Sequence, residues 1–133
     1  MAYNDFFRDI NNCLGVSPVG LIRRTILTGD VNPVAIYAVA AMQVEVTIID
    51  AYIIPTTAVG GGTVTINTDV GAGMVALTDA MVCAAAGTVA RAALIEQAGT
   101  QNIIGPADAV EAVRANDGPG GDGCFLHLLF HLN

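Results

Sequence analysis

Turn residues cut this chain into short pieces. Gly29-Asp30, Asn32-Pro33, Pro55, Gly60-Gly61-Gly62, the stretch at 69–73, Gly105-Pro106 and the NDGPGGDG run at 116–123 punctuate it from end to end. Glycine supplies positive φ, and proline removes a backbone donor, so such clusters end regular elements. Several of the runs between them alternate with period two. In 63–67, Val64 and Ile66 share one face, and Thr63, Thr65 and Asn67 share the other. In 44–54, Val44, Val46 and Ile48 alternate with Glu45, Thr47 and Ile49. Asp50 then predicts a late bend or bulge, and Pro55 a stop.

Further runs at 21–27, 34–39, 74–77, 88–95, 108–115 and 124–132 bring the expectation to about eight short strands. In 88–95, Val89, Arg91, Ala93 and Ile95 fall on one face. Thr78 and Asp79 are expected to cap a single helical turn at 80–83, and 97–105 reads as loop. Helix is an open alternative at 108–115, where Pro106 would sit in the first turn with Asp108 and Glu111 near a positive N-terminus. No βαβ alternation appears. The expected fold is mainly β, a single β-sandwich or jelly-roll-like domain over 20–133. An N-terminal arm at 1–19 precedes it. There Asn4 or Asp5 caps a short helix whose Phe6, Ile10, Cys13 and Leu14 share a face, ended by Gly15 and Pro18.

Composition narrows the function. Apolar residues make up 53% of the 133 and charged residues 13%, which excludes disorder. The longest uninterrupted apolar run, 34–42, is about half of the ~20 residues a spanning helix needs, and the N-terminus reads without a secretory signal. A greasy, charge-poor soluble domain is expected to assemble with other subunits. Twelve acids against five arginines give −7, with no lysine, so neither nucleic acid nor an anionic membrane is an expected partner. Arg23-Arg24 reads as a solvated or interface-paired doublet. Cys13, Cys83 and Cys124 are odd in number and widely spaced, which fits free buried thiols in a reducing compartment.

The chemistry-bearing residues do not converge on a reaction. His127 and His131 are the only histidines. On a strand they share a face but stand about 13 Å apart, too far for one metal. Their face also holds Phe125 and Leu129, whereas Leu126, Leu128, Phe130 and Leu132 line the other. Phe125, His127, Leu129 and His131 are therefore expected to form a subunit contact, and His131 from three chains would meet near a trimer axis. Cys124 and His127 fall on opposite faces, so they make no nucleophile pair. Ser17, the one serine, lacks a glycine elbow. The acids at 117 and 122 are too few for calcium. The glycine clusters lack the strand–helix setting of a phosphate cradle. No catalytic residue, metal or cofactor is expected.

The stretches VEVTIIDAYI, GGGTVTINT, ALTDAMVCAAAGTVARAALIE and GGDGCFLHLLFHL, spread over 44–132, resemble the small decoration (cement) proteins of tailed-bacteriophage capsids. The resemblance covers about two thirds of the chain. It implies a β-sandwich, often trimeric, made in the host cytoplasm and placed on the outer capsid surface, where it clamps neighbouring major capsid subunits. The arm, through Phe6, Phe7, Ile10 and Leu14, would strap onto a neighbour as an amphipathic segment in a groove. A tail, collar or fibre-attachment role in the same virion is the nearest alternative. Another is a small metal-dependent cupin-like enzyme using His127, His131 and Glu111. A third is a ligand- or glycan-binding module with its site on the loops at 60–62, 97–105 and 116–123.

Overall fold

The structure is a computed structural model and describes residues 19–27, 30–37, 45–56, 62–115 and 123–133. Ten strands account for most of them: β1 (Val19–Ile26), β2 (Val34–Tyr37), β3 (Val46–Pro55), β4 (Gly62–Asp69), β5 (Val75–Ala76), β6 (Met81–Cys83), β7 (Ala90–Arg91), β8 (Ile103–Ile104), β9 (Ala109–Ala115) and β10 (Cys124–Leu132). They form two antiparallel sheets. The first runs β1-β10-β3-β7, with β8 also on β3. The second runs β2-β9-β4-β5, with β6 also on β4.

If β5 and β6 are taken as one broken strand, and β7 and β8 as another, eight remain. They then pair first with eighth, second with seventh, third with sixth and fourth with fifth. That nesting, with the eighth also on the third and the seventh on the fourth, is the jelly-roll wrapping of a β-sandwich. The sequence-based fold class and its count of about eight therefore hold.

Period-two patterning builds the core. Val64 and Ile66 of β4, Val110 and Ala112 of β9, and Leu126 and Leu128 of β10 are buried, while the residues between the first two pairs are half-exposed. Each fully buried side chain of this size contributes roughly 1.5–3 kcal/mol. In β3 the phase slips once. Phe130 opposes Ile48 and Leu129 opposes Asp50, so Ile49 is the extra residue of a bulge. Val46 and Ile48 face the core before it, Ala51 and Ile53 after it. The bulge anticipated at Asp50 is real, and the loop before β8 supports it. The Asn102 carbonyl accepts from the Ile48 N–H at 2.8 Å, and Asn102 Nδ2 donates to the Ile48 carbonyl at 3.4 Å.

Two glycines fix the β1–β10–β3 corner. Gly20 lies under the Phe130 ring, whose tip is 2.6 Å from where a Cβ would stand. Gly123 has φ +91°, and a Cβ there would fall 2.0 Å from the Ile26 carbonyl oxygen. Its own carbonyl accepts from both the N–H and the hydroxyl of Thr56.

Three expectations need correction. Residues 80–83 form no helical turn. They contain strand β6, because Met81 and Cys83 are buried around an exposed Val82 and β4 offers an edge to pair with. The supposed caps act elsewhere. Thr78 Oγ1 accepts from the Ile66 N–H, and Asp79 Oδ1 accepts from the N–H groups of Ala93 and Leu94. The strand expected at 88–95 shrinks to Ala90–Arg91 plus a bridge from Ile95 to Thr78, and the loop expected at 97–105 contains β8. At 108–115 the strand, not the helix, is formed. The arm's Phe6, Phe7, Ile10 and Leu14, together with Gly60 and Gly61, lie outside the described residues, as does the loop at 116–122.

Candidate functional site

The outward side of the first sheet carries the most organised side-chain chemistry among the described residues. The register sets Arg23 of β1 opposite His127 of β10, His127 opposite Tyr52 of β3, and Tyr52 opposite Arg91 of β7. One row thus crosses four strands. Within it the His127 and Tyr52 rings stack, with centroids 4.6 Å apart and planes 9° from parallel. The Arg91 guanidinium lies 5.2 Å from the Tyr52 centroid and pairs with Asp50 at 3.0 Å. The Arg23 guanidinium sits 4.0 Å over the Phe125 ring. Arginine over an aromatic face adds about 0.5–1 kcal/mol at exposed sites. The Arg91–Asp50 pair adds little by itself, since the arginine side chain is 60% exposed.

His127 is the least ordinary member. It is only 8% exposed, yet its Nδ1 has no hydrogen-bond partner. Burial pushes its pKa below the usual histidine value. The Arg23 cation pushes the same way, and an interaction with the Phe125 backbone opposes both. Neutral imidazole stacked on phenol is the resulting state. His131 lies two positions on along the same face, half-buried, and its Nδ1 is also unpartnered.

The residues proposed from sequence for the C-terminal strand thus share one face. Phe125, Leu129 and His131 are half-buried there, with His127 sunk between the neighbouring strands. Sequence reasoning missed Tyr52, Arg91 and Asp50, and treated Arg23 as bland. The signal lay in the Asp50 bulge, because a phase slip there turns Tyr52 outward, although β10 as its neighbour was not readable.

The cupin-like trio does not assemble. His127 and His131 stand on the outer side of the first sheet, whereas Glu111 lies between buried Val110 and Ala112 on the outer side of the second. Among the described residues no group of three or more His, Cys, Asp and Glu is placed to hold a metal. Cys83 and Cys124 are free and buried, as expected from sequence. Burial pushes the Cys124 thiol up to about 12, aided by Cys83 and opposed by Arg114, and burial raises Cys83 as well. Thiols held this way are poor nucleophiles. Among the described residues no helix is long and apolar enough to cross a membrane.

No protein-family model matches the chain, and comparison with curated proteins and with solved structures finds no match to it.

Proposed function

We propose that the chain is a structural virion protein that decorates a phage capsid and reinforces it by binding major capsid subunits from outside. The identity of the partner rests on the resemblance carried by 44–132. The observation that supports a binding role is the Arg23–His127–Tyr52–Arg91 row with Phe125 beside it. It is a stacked aromatic–arginine surface on a jelly-roll body. Aromatic residues and arginine are the side chains that dominate binding energy at protein interfaces. Side chains already stacked on one another have less freedom to lose on docking than isolated ones. The negative net charge suits a surface turned away from packaged DNA.

In this reading the outer face of the first sheet seats against neighbouring virion subunits, and the arm at 1–19 straps the protein down. The test is electron microscopy of phage particles carrying this chain with a labelled antibody. Label over the head supports capsid decoration. Label on the tail or collar replaces it with the tail reading, and particles without label refute both. Removing 1–19 is expected to release the protein from the shell, as read by co-sedimentation. Undiminished binding would remove the strap from the proposal.

A further inference from the structure

All but one of the large apolar side chains left exposed among the described residues fall at two opposite flanks of the sandwich; the exception is Ile49, at the β3 bulge. Val19, Leu21, Leu27 and Val31 belong to β1 and the segment leading to β2, the strands at one edge of each sheet. Met74, Val75, Val82, Val89 and Leu94 belong to β5, β6, β7 and their connections, at the other edge. Both flanks are stitched from within. Arg24 Nη2 donates to the Ile36 carbonyl at 3.1 Å across the first, and Thr78 bridges Ile95 across the second. The exposed groups are therefore not gaps in the core.

The flanks differ in charge. Among the described residues the first carries Arg23 and Arg24 with the carboxylate Asp30, whose Oδ2 accepts from the Leu27 N–H. The second carries exposed Asp79 and half-buried Glu96, and its arginine, Arg91, is already paired with Asp50. A two-fold contact of β1 with β1 would set Arg23-Arg24 of one copy against the same pair of the other, and like charges across paired strands repel. A two-fold contact of the second flank would likewise oppose acids. Bringing the unlike flanks together joins apolar to apolar and cation to anion. Such a contact is heterologous, and repeating it closes a ring or extends a filament.

We propose that the β1 flank of one copy docks on the β5–β7 flank of the next, so that the chain assembles with itself head to tail. Val19, Leu21 and Arg23 stand opposite His131, Leu129 and His127, so this contact takes in the β1 edge of the outer face described above. It is tested on the chain alone, without a shell, and can therefore fail while the capsid reading stands.

The test uses two single variants of the full chain, Leu21→Asp and Leu94→Asp, at positions 50% and 56% exposed. Light scattering and sedimentation should find the unsubstituted chain in species of three or more copies. Each variant alone should be monomeric, with contact affinity lowered on the order of a hundredfold. Because each variant keeps one intact flank, their equimolar mixture should give one-to-one heterodimers of twice the 13.6 kDa chain mass and nothing larger. Raising the salt should weaken the unsubstituted assembly several-fold, since charge complementarity contributes. A monomeric unsubstituted chain at its highest soluble concentration overturns the proposal. So does an assembly indifferent to Leu94→Asp, or a mixture that stays monomeric. Circular dichroism checks folding, and Val19→Asp with Val82→Asp repeats the test should either variant unfold.

Discussion

The two sheets obey the same alternation inside and differ outside. Both turn Val, Ile, Leu and Ala toward the shared core. The outer side of the second sheet is a pavement of Thr63, Thr65 and Asn67 on β4 opposite Ala115, Val113 and Glu111 on β9. The outer side of the first sheet is aromatic and cationic, and its members touch one another across strands. Core burial specifies which residues point in and is indifferent to what points out. The outward chemistry of the first sheet is therefore not dictated by the core, and it is this chemistry that supports the proposed binding role.

The corner that holds the first sheet together should break most sharply. Gly123→Ala puts a Cβ into the Ile26 carbonyl, a backbone atom that cannot swing aside, at a left-handed φ. A loss of about 3–5 kcal/mol is expected in urea unfolding. Gly73→Ala, in the turn after β4 of the second sheet, also has positive φ but meets nothing within 4 Å. It should cost only about 1 kcal/mol. Equal losses would mean that strain in φ, and not the contact with Ile26, governs both.

The outer faces come next. Tyr52→Ala removes the ring stacked on His127 and lying under Arg91, and about 2 kcal/mol should be lost. Thr65→Ala on the other sheet removes only a small β-branched side chain and should cost about 0.5–1 kcal/mol. Parity between the two would reduce the ladder to decoration without cohesion. The core between the sheets should treat its thiols alike. In a Cys13→Ser background, neither Cys83 nor Cys124 should react with a maleimide at pH 8 until denaturant is added, since both are buried with raised pKa values. Rapid labelling of native protein would show that the sheets part readily.

What the sequence disclosed follows the same division. Strands with β-branched residues in strict alternation, such as β4, were readable down to the face of each residue. So was the histidine face of β10. The bulge at Asp50 was readable because a carboxylate breaks an apolar run. The broken strands were not. Around 80–95 the chain is rich in alanine, which favours helix over strand, so the local preference pointed the wrong way and pairing with β4 and β3 decided the outcome. The ladder was out of reach for a different reason. Arg23, Tyr52, Arg91 and His127 come from four strands, and only the jelly-roll register makes them neighbours.

The smallest expected difference between the sheets is one that acid should reveal. His127 faces Arg23 from β1 and Tyr52 from β3; beyond Tyr52 stands Arg91 of β7, paired with Asp50, and His131 follows on its own strand. Its pKa is lowered in the folded chain, so below the ordinary value near 6.5 the unfolded chain takes up a proton that the folded chain resists. Stability is therefore full above that value. It declines as pH falls from there through the lowered folded pKa, and it levels off below. Protonation would place a third cation between Arg23 and Arg91 with no acceptor at Nδ1. His127→Phe keeps a ring against Tyr52 without the titration, and its urea midpoint should fall less between pH 7 and pH 5 than that of the unsubstituted chain. Glu111→Gln, on the outer side of the second sheet, should leave that difference intact. An unsubstituted midpoint as flat as that of His127→Phe would mean that His127 protonates in place. The ladder would then be loose enough to admit water, and no longer the ordered surface on which the proposed binding role depends.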